Sequence, residues 1–117
     1  MTTILIVEDE AVIAEMLADL FIDEGYQVHV ARNGREGLSF LDKLLPDLVL
    51  SDVMMPVMDG RALCEAMAQH PKHRHIPIIL MSAGGDTVKL DHCRYAAFIT
   101  KPFSLHTMLD TVMRVVG

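Results

Sequence analysis

The sequence predicts an α/β fold in which five parallel strands alternate with five helices that cover both faces of one sheet. Three observations carry that reading. Short continuous apolar runs, such as Ile4 to Val7 and Leu48 to Leu50, have the length and composition of strands buried on both faces. Longer stretches between them place apolar side chains at helical spacing. The two kinds of segment take turns along the whole chain, which means parallel strands joined by right-handed crossovers.

The first strand covers Thr3 to Val7 and ends in three acids, Glu8, Asp9 and Glu10. Residues 11 to 24 read as a helix with Ile13, Leu17, Leu20 and Phe21 on one stripe. Gly25 follows, placed to take the left-handed backbone that ends helices. Glu15, Asp19 and Asp23 repeat every four residues on another face, and like charges at that spacing repel, so this is read as a solvated face. Gln27 to Ala31 alternates polar and apolar residues, as an edge strand does. Asn33 and Gly34 turn the chain into a second helix over residues 35 to 45, with Leu38, Leu41 and Leu45 inward and Pro46 ending it.

The third strand runs from 47 to 52 and ends on a carboxylate, Asp52, before a loop holding the turn formers Pro56, Asp59 and Gly60. A third helix over 60 to 69 buries Leu63, Ala66 and Met67. In the loop from His70 to His75, three histidines could ligate a metal. They lie beside Lys72 and Arg74 with no cysteine or carboxylate among them, so a solvated loop is expected. The fourth strand starts at Pro77 and closes on Met81, Ser82 and Ala83, followed by Gly84 and Gly85. A short helix around 86 to 93 precedes a fifth strand, Ala96 to Thr100, which closes on Lys101, Pro102 and Phe103. The last helix, about 104 to 116, offers Leu105, Met108, Leu109, Val112 and Val115 to the core.

At 117 residues the chain reads as one domain, 1–117, with no effector domain. Hydrophobic residues make up 51% and charged residues 22%, which is globular rather than disordered. Sixteen acids against ten bases leave a net charge of -6, which argues against direct nucleic acid binding. No apolar run reaches membrane-spanning length and no signal peptide leads the chain, so a cytoplasmic protein is expected. Cys64 and Cys93 form neither a metal-ligand spacing nor a disulfide framework. They are expected as two small buried hydrophobes in a reducing compartment.

Parallel strands share a direction, so their carboxyl ends must face one edge of the sheet. That edge collects Glu8 and Asp9 from strand one, Asp52 from strand three, Ser82 from strand four and Lys101 from strand five. Ligands of open α/β sheets bind at this edge. Carboxylates converging there repel by up to about 4 kcal/mol per pair at 4 Å in partly screened surroundings. A cation must offset that, and an all-oxygen site with spare positions suits Mg²⁺. Lys101 adds a positive charge and Ser82 a hydroxyl donor. The combination suits a phosphoryl group carried on a carboxylate nucleophile.

Glu8 and Asp9, the run from Asp52 through Pro56 to Asp59 and Gly60, Ser82 with Ala83, and Lys101 with Pro102 and Phe103 together resemble the receiver domain of two-component response regulators. The resemblance covers essentially the whole chain. It implies a flavodoxin-like (βα)5 fold in three layers, with strand order 2-1-3-4-5 and the site between strands one and three. It implies that Asp52 accepts a phosphoryl group from a histidine kinase, a histidine phosphotransfer protein or a small donor. Asp9, Asp52 and the Met54 backbone carbonyl would ligate Mg²⁺ (or Mn²⁺), and Glu8 would act through a water. Lys101 would pair with Asp52 and then with the phosphoryl oxygens, and its bond to Pro102 would be cis. Ser82 and Phe98 would be the switch pair, remodelling the face of helix four, strand five and helix five for a downstream protein target or fused effector. Val12 and Met16 on the first helix are candidates for docking the kinase. Met54 and Gly84 occupy positions that tune dephosphorylation in receivers, and Met54 would shield the acyl phosphate.

The sequence departs from the family in three places. Glu8 stands where aspartate is commoner. Arg94-Tyr95-Ala96-Ala97 replaces the usual Gly-Ala followed by acids. The span from Ser82 to Lys101 is a few residues shorter than usual, so weak order is expected across 84 to 95. Two other readings compete. An aspartate-nucleophile phosphatase would need a second acid where Met54 stands. A phosphorylation-independent pseudo-receiver would not need Asp9, Asp52, Ser82 and Lys101 together.

Overall fold

The computed structural model describes residues 1–83 and 93–117. Five parallel strands form one sheet in the order β2-β1-β3-β4-β5. They are β1 (Thr3–Val7), β2 (Gln27–Ala31), β3 (Leu48–Asp52), β4 (Ile78–Ala83) and β5 (Ala97–Lys101). The described helices are α1 (Ala11–Asp23), α2 (Gly34–Leu44), α3 (Gly60–Gln69) and α4 (Leu105–Val116), the last being the fifth expected from sequence. The expected helix around 86 to 93, except Cys93, and most of the span from 84 to 95 for which weak order was expected, Gly84 included, lie outside the described residues.

β3 shows why its composition is so apolar. All five of its residues are buried, because it sits at the centre of the sheet with helices on both faces. Leu5, Val7, Val49 and Leu80 point to one face, packing with Leu41, Leu63 and Met67 from α2 and α3. Ile4, Ile6, Leu48, Leu50 and Ile79 point to the other, packing with Leu17 and Phe21 of α1 and Met108 and Val112 of α4. The period-two alternation of each strand therefore feeds two cores, and each fully buried aliphatic contributes roughly 1.5–3 kcal/mol. Register is set by pairings such as Val7 with Ser51 and Asp52 with Met81, which hold the strand ends level.

Polar residues set the helix starts. Asn33 Oδ1 accepts from the Glu36 N–H at 2.9 Å, Asp59 Oδ1 from the Ala62 N–H at 2.8 Å, and Ser104 Oγ from the Thr107 N–H at 3.0 Å. Gly25, at φ 92, takes the left-handed conformation expected of it. Leu45 departs from expectation: it is the C-cap of α2 at φ 42, and it points to solvent rather than to the core. Pro46 explains this, since the residue before a proline is steered out of the helical region.

Two further expectations are corrected. Cys64 of α3 and Cys93, ahead of β5, are not separate thiols but a disulfide, with Cα atoms 5.4 Å apart across 29 residues of sequence. Their spacing carried no sign of it, because only the packing of α3 beside the sheet brings them together. The histidine loop is not wholly solvated either. His73 is 2% exposed, and Asp42 of α2 brings a carboxylate oxygen to 3.5 Å from its Nε2. Burial, aided by neighbouring His70, holds the His73 pKa below the ordinary imidazole value.

Candidate functional site

The carboxyl ends of β1, β3 and β5 bring four charged side chains together. One oxygen from each of Glu8, Asp9 and Asp52 lies within 4.8 Å of the other two. Glu8 and Asp52 are buried and Asp9 is exposed, so the cluster opens to solvent on the Asp9 side. Lys101 Nζ stands 3.3 Å from Glu8 Oε1 and 3.3 Å from Asp52 Oδ2, bridging the two buried acids. Glu8 Oε2 accepts from the Glu10 N–H at 3.1 Å. The Lys101–Pro102 peptide bond is cis.

The loop after β3 is held tightly. The Val53 N–H donates to the Met81 carbonyl and the Gly60 N–H to the Val53 carbonyl, both at 2.8 Å. A side chain at Gly60 would collide with the Asp52 carbonyl oxygen, so only glycine lets α3 begin this close to the acid. Between them, Val57 sits at φ 68, an uncommon conformation for a β-branched residue. Met54 is 62% exposed at the rim.

Three carboxylates against one ammonium leave the cluster short of positive charge, and two of the acids, Glu8 and Asp52, are raised above the ordinary carboxylate range. Burial pushes Glu8 up to about 6, and the Asp52 charge adds to this against the opposing Glu10 N–H and Lys101. Burial also raises Asp52; Lys101 counters this and Asp9 reinforces it. Burial pulls Lys101 down, but Asp52 and Glu8 together outweigh it and leave its pKa raised. The pair with Lys101 thus favours ionised Asp52, yet desolvation prevails. A hard divalent cation relieves this imbalance, and a cluster of oxygen donors only is the set that Mg²⁺ takes.

The remaining residues singled out in the sequence lie on β4, β5 and α1. Ser82, at the end of β4, is buried. Phe98 of β5 is 40% exposed, with its ring edge-on to Tyr95 at 5.9 Å. Val12 and Met16 are exposed on α1 rather than packed in the core. Ile13 and Met16 border a cavity of about 420 Å³ with Lys101, Pro102 and Phe103. What sequence reasoning missed is the second partner of Lys101. Glu8 and Asp52 end neighbouring strands, and that adjacency was the available signal.

A family model described as response regulator receiver domain matches residues 4–113. The signal receiver domain of a signal transduction histidine kinase from Syntrophus aciditrophicus has the same fold at a TM-score of 0.92 and 40% identity, over 99% of this chain and 90% of that one. The polar-differentiation response regulator DivK of Brucella anthropi is 30% identical over 118 residues, 98% of this chain and 96% of that protein. The regulatory protein AtoC of Escherichia coli is 36% identical over 95% of this chain but only 24% of its own length. The chain spans between 24% and 56% of the first curated relatives it matches. This chain belongs to the response regulator receiver family of two-component signalling, with a flavodoxin-like arrangement of its strands. Among the described residues, no helix is long and apolar enough to cross a membrane.

Proposed function

We propose that Asp52 receives a phosphoryl group from a phosphohistidine donor, a kinase or a phosphotransfer protein, in a Mg²⁺-dependent step. The observation that carries this reading is the convergence of Glu8, Asp9 and Asp52 around one point, with Lys101 touching two of them. An Asp52 carboxylate oxygen attacks phosphorus, the P–N bond of the donor breaks, and the imidazole leaves with its electron pair. An acyl phosphate remains on Asp52. Asp9, Asp52 and the Met54 carbonyl would hold the metal, with Glu8 acting through a water. The metal supplies charge neutralisation for the phosphoryl oxygens. Lys101 reorients from Asp52 to those oxygens, and the Ser82 hydroxyl donates to one of them.

The exposed Phe98 ring is then the movable part. Its inward rotation, following Ser82, changes the surface of β5 and its neighbours for a downstream protein or a fused effector. Val12 and Met16, exposed on α1 beside the site, supply an apolar surface on which a helix of the donor can dock. Receiver chemistry of this kind makes and breaks its own aspartyl phosphate without turning over an outside substrate. The rival phosphatase reading lacks its second acid, since Met54 stands there.

Intact-mass measurement after incubation with Mg²⁺ and acetyl phosphate or phosphoramidate tests the proposal. One phosphoryl gain is expected, lost with EDTA and in Asp52→Asn. Labelling that persists in Asp52→Asn, or absence of both labelling and Mg²⁺ binding in the parent protein, overturns it in favour of a phosphorylation-independent module.

A further inference from the structure

At the amino edge of the sheet, opposite the acid cluster, α2 and the loop after α3 bring together Asp42, His70 and His73. One donor atom from each lies within 4.8 Å of the other two. The geometry points to a second metal site here, for a Zn²⁺-class divalent ion held by two imidazoles and a carboxylate.

Four observations support it. The donors come from two separate elements, so their meeting is a product of the fold rather than of local sequence. His73 is buried, and its Nδ1 has no hydrogen-bond partner among the described residues, an unusual state for a buried polar atom. Asp42 Oδ1 stands 3.5 Å from His73 Nε2, which places its carboxylate beside the same ring and leaves Nδ1 as the uncommitted donor. The three residues line one cavity of about 220 Å³ with Leu41, Leu45 and Lys72, which leaves room for a water as a fourth ligand.

The donor chemistry separates this site from the other. Imidazole with carboxylate suits Zn²⁺, Co²⁺ and their neighbours, whereas Mg²⁺ takes oxygens. The two sites sit at opposite ends of strands five or six residues long, about 15–20 Å apart. Binding requires a local adjustment. The His70 and His73 rings are stacked at 3.7 Å with planes 9° apart, so their in-plane lone pairs do not converge until one ring tilts. His70 Nδ1 also accepts from the Lys72 N–H at 3.1 Å, and the Lys72 ammonium beside the cavity opposes a cation. His70 is only half-buried and is the ring that turns, giving up its bond from the Lys72 N–H.

Titration with Co²⁺ under saturating Mg²⁺, followed by visible absorption and competition with Zn²⁺, tests this on the whole protein. One equivalent is expected. Losing an outer-sphere partner of a metal site already costs about 10–100-fold in affinity. Asp42→Asn and His70→Ala, both at accessible positions, should therefore each weaken binding at least tenfold while leaving acetyl phosphate labelling unchanged. His73→Ala should abolish binding, with circular dichroism checking its fold. No Co²⁺ band, or binding that survives Asp42→Asn and His70→Ala and is lost instead in His75→Ala or Asp9→Asn, overturns the assignment.

Discussion

Glu8→Gln removes a charge that the folded protein holds at a cost. The Glu8 carboxyl titrates at about 6 in the fold against 4.5 for an unperturbed glutamate. The unfolded chain therefore releases this proton first, and between pH 4.5 and 6 the folded state binds more protons. Stability from this group falls as pH rises through that window and is fully lost above it. The difference, about 1.5 pH units at 1.36 kcal/mol each, amounts to about 2 kcal/mol at pH 7. Glutamine cannot ionise and still offers an oxygen to the Glu10 N–H or to Lys101. In EDTA at pH 7, Glu8→Gln should be more stable than the parent by about 1–2 kcal/mol, or about 4–8 °C in melting temperature. Below pH 4.5 the two should converge. Thermal melts by circular dichroism from pH 4 to 8, taken as the difference between the two proteins, isolate Glu8 from Asp52, whose pKa is also raised. Added Mg²⁺ should stabilise the parent more at pH 7 than at pH 5, and Glu8→Gln less at either. A flat difference across the range, or a less stable variant at pH 7, would refute the argument that burial, aided by the Asp52 charge, holds Glu8 above its ordinary pKa.

Gly60→Ala should destabilise the fold by about 3 kcal/mol and depress phosphorylation of Asp52, because its methyl group must displace the Asp52 carbonyl; urea unfolding with donor labelling reads both effects. Val57→Gly should stabilise by about 1 kcal/mol, the relief of a left-handed β-branched residue exceeding the added chain entropy. A loss of stability in urea would show that Val57 makes compensating contacts. Reduction of the Cys64–Cys93 bridge should cost about 3–4 kcal/mol, as chain entropy predicts for a loop of this length, and thiol titration of the denatured chain should find two thiols only after reductant. Met54→Asn should speed loss of the aspartyl phosphate, followed by intact mass after donor removal, and an unchanged lifetime would argue against shielding by Met54.

Much of this structure was legible because strands and helices of an α/β fold answer to different periods. The bounds of β2 and α3 follow directly from alternation and from Asp59 ahead of Gly60. The acid cluster was legible too, since parallel strands put their last residues on one edge. What escaped is pairing between elements distant in sequence. Nothing local to Cys64 or Cys93 announces the bridge, and nothing near His73 announces Asp42, thirty-one residues earlier on α2. Leu45 was misplaced for a different reason: periodicity counted it on the apolar face, but Pro46 takes it out of the helix.

Lys101 meets Glu8 across 93 residues of chain. A ribosome therefore delivers Asp52 long before the cation that completes its surroundings. Until β5 has been made and docked beside β4, the acids of β1 and β3 have no Lys101 ammonium between them, and on the proposed function a nascent chain would be silent toward donors. On the proposed function, competence would arrive with the last strand, and an aspartyl phosphate on Asp52 would also certify that the sheet beneath it is complete.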